Sequence, residues 1–170
     1  MEITTRFTIA SEEGLKNFFF LRNNRLSGMY GGDIEEEQLK QYKEKLADHK
    51  ETVSELNNLT TQMITVFVND APAGYALLKQ SAAPEELKGQ KTLRLDSFYI
   101  LPQYDGEDVR DALWKKCMNI TRTYEAIWIE MLQKDSFLPY MQSCGFTIYK
   151  SSQMEPFAKA SYILIRRNQS

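Results

Sequence analysis

Leu95-Asp-Ser-Phe-Tyr-Ile-Leu-Pro-Gln-Tyr-Asp-Gly-Glu-Asp-Val-Arg-Asp-Ala-Leu113 is the stretch on which the reading of this chain turns. Its first part finishes a long strand running from Thr92 to Leu101, dense in Leu, Phe, Tyr and Ile. A short turn through Pro102 and Gly106 follows. Its last part opens a helix expected over Glu107–Thr121, with Val109, Ala112, Leu113, Cys117 and Ile120 recurring on one side.

Working outward, Ala126 to Leu132 carries Ile, Trp and Met at a density that predicts a buried strand. A short helix follows, with Ser136 as its expected cap and Pro139 in its first turn. Gly145 ends that helix. Two closing strands are expected over Phe146 to Lys150 and Ser161 to Arg166. Upstream, Thr4 to Ile9 reads as a strand, and Ser11 caps a helix that presents Leu15, Phe18, Phe19 and Leu21 to a core. Gly31-Gly32 breaks the chain. Asp33 and Glu36 have capping-box spacing, opening one helix through Leu39, Tyr42, Leu46, His49, Val53 and Leu56. His49 falls in that stripe and reads as a partly buried packing residue. Gln62 to Val68 and Gly74 to Gln80 form a hairpin around Asn69-Asp70-Ala71-Pro72.

Composition narrows the function classes. The 170 residues suit one domain, with 42% hydrophobic and 26% charged residues. A formal charge of −2 supplies no field for a nucleic acid or an anionic membrane. No segment reads as a secretory leader or a bilayer span. Cys117 and Cys144 lack CxxC partners, and the one His is distant, so no metal set is expected and both thiols read as reduced packing residues of a cytoplasmic protein.

The element order with two local stretches resembles the GNAT (GCN5-related N-acetyltransferase) superfamily over nearly the whole chain. The first stretch is the quoted one, carrying Pro102, Tyr104, Gly106, Ala112 and Leu113. The second is Ser143-Cys-Gly-Phe146, similar to the family's late Leu-Gly-Phe. The resemblance implies an α/β (α+β) fold with a mixed, mostly antiparallel sheet and a central parallel strand pair, flanked by helices and filling residues 1–170 as a single domain. Thr92–Leu101 and Ala126–Leu132 are then parallel neighbours that diverge near Leu101, with Glu107–Thr121 crossing between them.

The same resemblance implies acetyl transfer from acetyl-CoA to the primary amine of a small molecule or peptide. The pantetheine would pair with the backbone of Phe98, Tyr99, Ile100 and Leu101. The pyrophosphate would rest on Gly106, Val109 and Arg110, at the N-terminus of the following helix. Lys134 aligns with an Asn that the family often has at the start of the segment after the buried strand, and is counted with the cofactor-binding residues. Asp96 matches a carboxylate used as base in polyamine-acetylating members, and Glu130 is a second candidate. Tyr140 is the candidate acid, one residue and about 100° around the helix from the usual position, which Met141 occupies.

Departures from the pattern concentrate in the phosphate loop. Asp105, Asp108 and Arg110 stand where the family has Arg or Gln, Gly, and Gly or Ala. With Glu107 and Asp111 the stretch carries a net charge of −3. Two like charges about 4 Å apart repel by about 4 kcal/mol at an effective dielectric near 20. Arg110 is the residue able to compensate. An acidic first turn also complements the helix dipole without any ligand.

Asp96 is open to two readings, a base lining the acceptor cleft or a charge meeting solvent or Arg94. Alternation puts Arg94, Asp96 and Phe98 on one face. Three function classes therefore stand: the acetyltransferase, a non-catalytic GNAT-fold module binding a ligand or partner, and an unrelated α/β binding domain. A homodimer is compatible with each.

Overall fold

The computed structural model describes residues 1–168. Seven strands make one mixed sheet: β1 (Ile3–Phe7), β2 (Gln62–Val68), β3 (Ala71–Lys79), β4 (Thr92–Ile100), β5 (Ala126–Leu132), β6 (Thr147–Met154) and β7 (Lys159–Arg167). Their order is β1-β2-β3-β4-β5-β7-β6. Among the described residues, β4 and β5 are the parallel pair and the other neighbours run antiparallel. The helices are α1 (Glu12–Tyr30), α2 (Glu36–Leu46), α3 (His49–Leu56), α4 (Glu107–Thr121) and α5 (Leu138–Ser143).

Two apolar layers sandwich the sheet. On one face, Val109, Leu113 and Cys117 of α4 and Met141 of α5 pack on Ile64, Val66, Ala76, Leu93, Leu95, Phe98 and Ile100. On the other, Phe18 and Leu21 of α1 cover Met63, Tyr75 and Leu77. Alternating side chains of β2 and β3 thus feed both cores, as a strand buried on both faces requires. Ser11 caps α1 as expected, its Oγ accepting from the Gly14 N–H at 3.0 Å. Gly145 ends α5 with φ +101°, a conformation that favours glycine.

The structure corrects several local expectations. The single helix expected after Gly31-Gly32 is two, split at Ala47-Asp48, because Asp48 Oδ1 accepts from the Glu51 N–H and starts α3. Asp33 caps nothing, since α2 begins at Glu36 without a side-chain cap, and Asp33 instead pairs with Lys134. His49 is exposed, with its ring 5.0 Å from that of Phe19. Asp135, rather than Ser136, precedes α5 as the local acceptor, taking the Phe137 N–H at 2.8 Å. The hairpin loop contracts to Asn69-Asp70, both at positive φ, so β3 begins at Ala71 and tolerates Pro72 beside a bulge at Val66/Phe67.

The correction with most consequence lies in β4. Leu77 opposes Ser97 while Leu78 opposes Leu95, so Asp96 is an extra residue with no cross-strand partner. The bulge breaks strict alternation. Arg94 and Asp96 stay with Lys79 on the α1 and α3 side, whereas Phe98 joins Leu93 and Leu95 in the core under α4. The shared face expected for Arg94, Asp96 and Phe98 does not exist.

Gly74 lies against β4 just beyond this bulge. A Cβ there would sit 2.3 Å from the Tyr99 carbonyl oxygen. Gly74→Ala should lower stability by about 1–3 kcal/mol, the usual cost of overpacking, read as a lower midpoint in urea unfolding. An unchanged midpoint would mean that β3 and β4 move apart freely.

Candidate functional site

Three residue pairs hold β4 to β5: Thr92 with Ala126, Leu93 with Ile127 and Arg94 with Trp128. Beyond them no pairing joins the two strands among the described residues, so the divergence starts well before Leu101. On its other edge β4 stays bound to β3 through Ile100, and the Leu101 N–H donates to the Ala73 carbonyl at 2.7 Å. Backbone groups alternate sides along a strand. Since Leu101 and Tyr99 face β3, the amide and carbonyl of Phe98 and Ile100 face the gap. A buried strand edge left unpaired is a demand for hydrogen-bond partners.

The gap opens into a cavity of about 460 Å³. Phe98, Tyr99 and Ile100 form one wall. Leu132, Lys134, Asp135 and Phe137, where β5 runs out toward α5, form the opposite one. Arg25, Gly28 and Met29 of α1 supply the floor, positions that helical periodicity places on one face. A second depression of about 610 Å³ lies between the start of α4 and α5, lined by Gly106, Asp111, Trp114, Tyr140 and Cys144.

Asp105 borders both spaces, and Arg110 borders the second. The Arg110 Nε and Nη2 donate to the two Asp105 carboxylate oxygens at 2.6 and 2.7 Å, a bidentate pair. The guanidinium also lies 4.5 Å from the centre of the Phe137 ring and 5.4 Å from that of Tyr140. That hydrogen bond to Asp105 raises the Arg110 pKa further. Arg110 is therefore already neutralised by a carboxylate of its own loop. Gly106 and the free N–H groups opening α4 lie beside this pair, and Val109 turns its side chain into the core.

Tyr140 stacks on Phe98, with centroids 5.9 Å apart, and its hydroxyl donates to Asp111 Oδ1 at 2.6 Å. Burial, then this hydrogen bond, pushes its pKa well above the ordinary value. Its proton is thus committed to Asp111 rather than presented to the gap. Met141 is fully buried beneath it.

Asp96 does not line the cavity. It sits in a network with Lys79 Nζ and Arg94 Nε, each at 3.6 Å, and accepts from Ser97 Oγ at 3.1 Å. Burial alone would raise its pKa, but Lys79, Arg25, Arg94 and Ser97 outweigh that and hold it below the usual carboxylate range. Glu130 is likewise engaged, accepting from Ser161 Oγ at 2.7 Å. Lys134 lines the cavity while paired to Asp33. Asp135 is the carboxylate that sequence reasoning missed. Burial raises its pKa against the Phe137 N–H bond and the charges of Arg25 and Arg110. One signal was in the sequence: Asp135 two residues before Phe137 is a local side-chain-to-backbone turn pattern. Arg25 had none, because its place depends on how α1 packs on β3.

Solved structures share this overall fold. PaiA N-acetyltransferase from Thermoplasma acidophilum, in complex with coenzyme A, matches with a TM-score of 0.76, covering 98% of this chain and 99% of that one at 16% identity. The fold is that of the GNAT acetyltransferases. A GCN5-related N-acetyltransferase from Rhodopseudomonas palustris matches with a TM-score of 0.71 at 14% identity, covering 98% of this chain and 96% of that one. An acetyltransferase from Streptococcus agalactiae gives 0.69 at 18% identity, covering 97% and 98%. No protein-family model and no curated protein matches the sequence, so the likeness to the GNAT fold is one of architecture. Among the described residues, no helix is long and apolar enough to cross a membrane, and no His, Cys, Asp and Glu residues gather as a metal site.

Asp96 yields a prediction of stability. Its folded pKa is depressed, so its contribution is present above the unfolded value of about 3.9 and is lost as pH falls through the folded pKa. Asp96→Asn should cost about 1–3 kcal/mol at pH 7, the range for leaving partly buried partners unsatisfied. The gap between variant and wild type should close in urea unfolding only as pH falls below the ordinary carboxylate value of about 3.9.

Proposed function

We propose that this protein is an acyl-CoA-dependent N-acetyltransferase with an atypical phosphate site. The observation that carries this reading is the unpaired edge of β4. Phe98 and Ile100 offer an amide and a carbonyl each to the gap, which is what the two amides of a pantetheine arm need to add as a third partner between splayed strands. Acetyl-CoA would supply the activated thioester.

The loop fits the nucleotide end less well. Glu107 and Asp108 in the first turn of α4 disfavour a pyrophosphate, and Arg110 is held by Asp105. Binding then requires Arg110 to leave Asp105 and meet phosphate oxygens, a rearrangement that lowers affinity. Lys134, beside the cavity, is a second cation for the acyl-donor end.

Asp135 serves this reading as general base better than Asp96. It lines the cavity, keeps one oxygen bound by the Phe137 N–H, and has its pKa raised by burial toward a value useful for accepting an ammonium proton through water. Tyr140, committed to Asp111, does not serve as an acid in this geometry. The acceptor is a small primary amine sized to the cavity.

The competing reading, a non-catalytic GNAT-fold module, draws on one specific feature, the Asp105–Arg110 pair standing across the path from the cavity to α4. Calorimetric titration with acetyl-CoA separates the two. The transferase reading expects weak binding that tightens by about 10-fold in Asp105→Ala, about 1.4 kcal/mol from removing one like charge near phosphate. Undetectable binding by both proteins would leave the module reading.

Turnover supplies the second test. Asp135→Asn should reduce acetyl transfer by about 100-fold or more, with acetyl-CoA affinity nearly unchanged. The acid limb of the wild-type pH profile should lie above about 4, the ordinary carboxylate value, because activity is lost as pH falls through the raised Asp135 pKa. An Asp135→Asn protein as active as wild type would return Asp96 to consideration.

A further inference from the structure

The floor of the cavity carries a cation that the transferase reading leaves without a task. Arg25 lies on α1, half-buried, and lines the cavity with Gly28 and Met29. Its hydrogen-bond partner is the Tyr75 hydroxyl, reached by Nη1 at 3.4 Å, a neutral group at long range. Among the described residues no carboxylate lies within 4 Å of it, whereas two of the other charges lining the cavity are so paired: Lys134 with Asp33, and Asp105 with Arg110. Asp96 and Asp135 act on it from further away. A guanidinium is never deprotonated in practice, and its five donors match a carboxylate bidentately.

Half-burying such a group beside a cavity is costly unless something completes it. Water can do so when the cavity is open to solvent, but a substrate that displaces water must replace those bonds. A plain alkyl amine would bring a second positive charge to the Arg25 floor. An amine that also bears a carboxylate would satisfy both ends, its ammonium toward Asp135 and its carboxylate toward Arg25. Leu132, Phe137 and Met29 leave apolar surface for the rest of such a molecule.

Resting on the transferase reading of this cavity, we infer that the acceptor is an amino acid, with Arg25 as the residue that binds its carboxylate and so sets specificity. Arg25 binds substrate and has no part in moving the proton. Its loss should therefore appear in KM more than in kcat.

The test uses the full chain saturated with acetyl-CoA or CoA and two acceptor panels: the common L-amino acids, and the descarboxy amines derived from them. Transfer rates are measured for wild type, Arg25→Met and Arg25→Lys, and binding of both panels is measured by calorimetry with CoA present. Wild type is expected to prefer at least one amino acid over its descarboxy partner by 10-fold or more in kcat/KM. Arg25→Met should abolish that preference through KM with acetyl-CoA affinity unchanged, and Arg25→Lys should restore part of it. Transfer to amines without regard to the carboxylate, or an equal loss for both panels in Arg25→Met, would overturn the Arg25 assignment while leaving the transferase reading in place. Carboxylate-dependent binding that Arg25→Met removes, without turnover, would uphold Arg25 and sink the transferase instead. If no amino acid binds the CoA-saturated protein, the inference is wrong.

Discussion

The parallel pairing of Thr92–Arg94 with Ala126–Trp128 is the seam between the two halves of the sheet. On one side of it, β1 to β4 form an antiparallel unit buttressed by α1 and α4; on the other, β5 to β7 form a second. Beyond this seam the halves are joined by side chains rather than backbone, since Ile127, Ile129, Met131 and Leu164 share one core with α4 and with β2 to β4. Their twist carries them apart once pairing stops. The cavity is the space so created, bounded below by Arg25, Gly28 and Met29 of α1 and on the β5 side by Leu132 and the segment Lys134–Phe137 that leads into α5. Polar backbone is tolerated at the bottom of that wedge only because water or a ligand reaches it.

A chain of neighbouring charges then decides what the wedge admits. Asp96, Lys79 and Arg94 form a closed network behind the bulge, Asp105 and Arg110 form another at the mouth, and Lys134 is tied to Asp33 at the rim. Each of these groups is a plausible ligand contact by residue type alone. Their partners remove them from that role in the resting molecule. Of the charges lining the cavity, Asp135 and Arg25 have no opposite charge within ion-pairing distance among the described residues.

Much of the architecture was legible in the sequence because its cues are local. The bounds of α4 and β5 follow from apolar periodicity and density, and Ser11 and Gly145 act as their chemistry predicts. The split at Asp48 was legible too, as Asp48 and Glu51 repeat the spacing of the capping pattern assigned instead to Asp33 and Glu36. The candidate site was less so. Phe98 to Ile100 fall on β4 and Gly106 and Arg110 at the start of α4, as expected, but whether Arg110 is free depends on Asp105 folding back five residues. Phe98 was expected on the face of Arg94 and Asp96 because a bulge has no signature in a run of Leu-Asp-Ser-Phe. Arg25 could not be found at all from sequence, since a basic residue on an amphipathic helix ordinarily faces solvent.

The bulge at Asp96 works as a parity switch. Removing that one residue would leave both ends of β4 anchored, to β5 at Thr92–Arg94 and to β3 at Tyr99 and Ile100, yet the two anchors would then demand opposite orientations of the segment between them. Either Leu93 and Leu95 would turn toward Lys79 and the charged side, or Phe98 and Ile100 would leave the core under α4. The chain thus treats the count of residues in β4 as a constraint independent of their identity. Shortening this strand by one residue should be tolerated far less well than replacing most of its side chains.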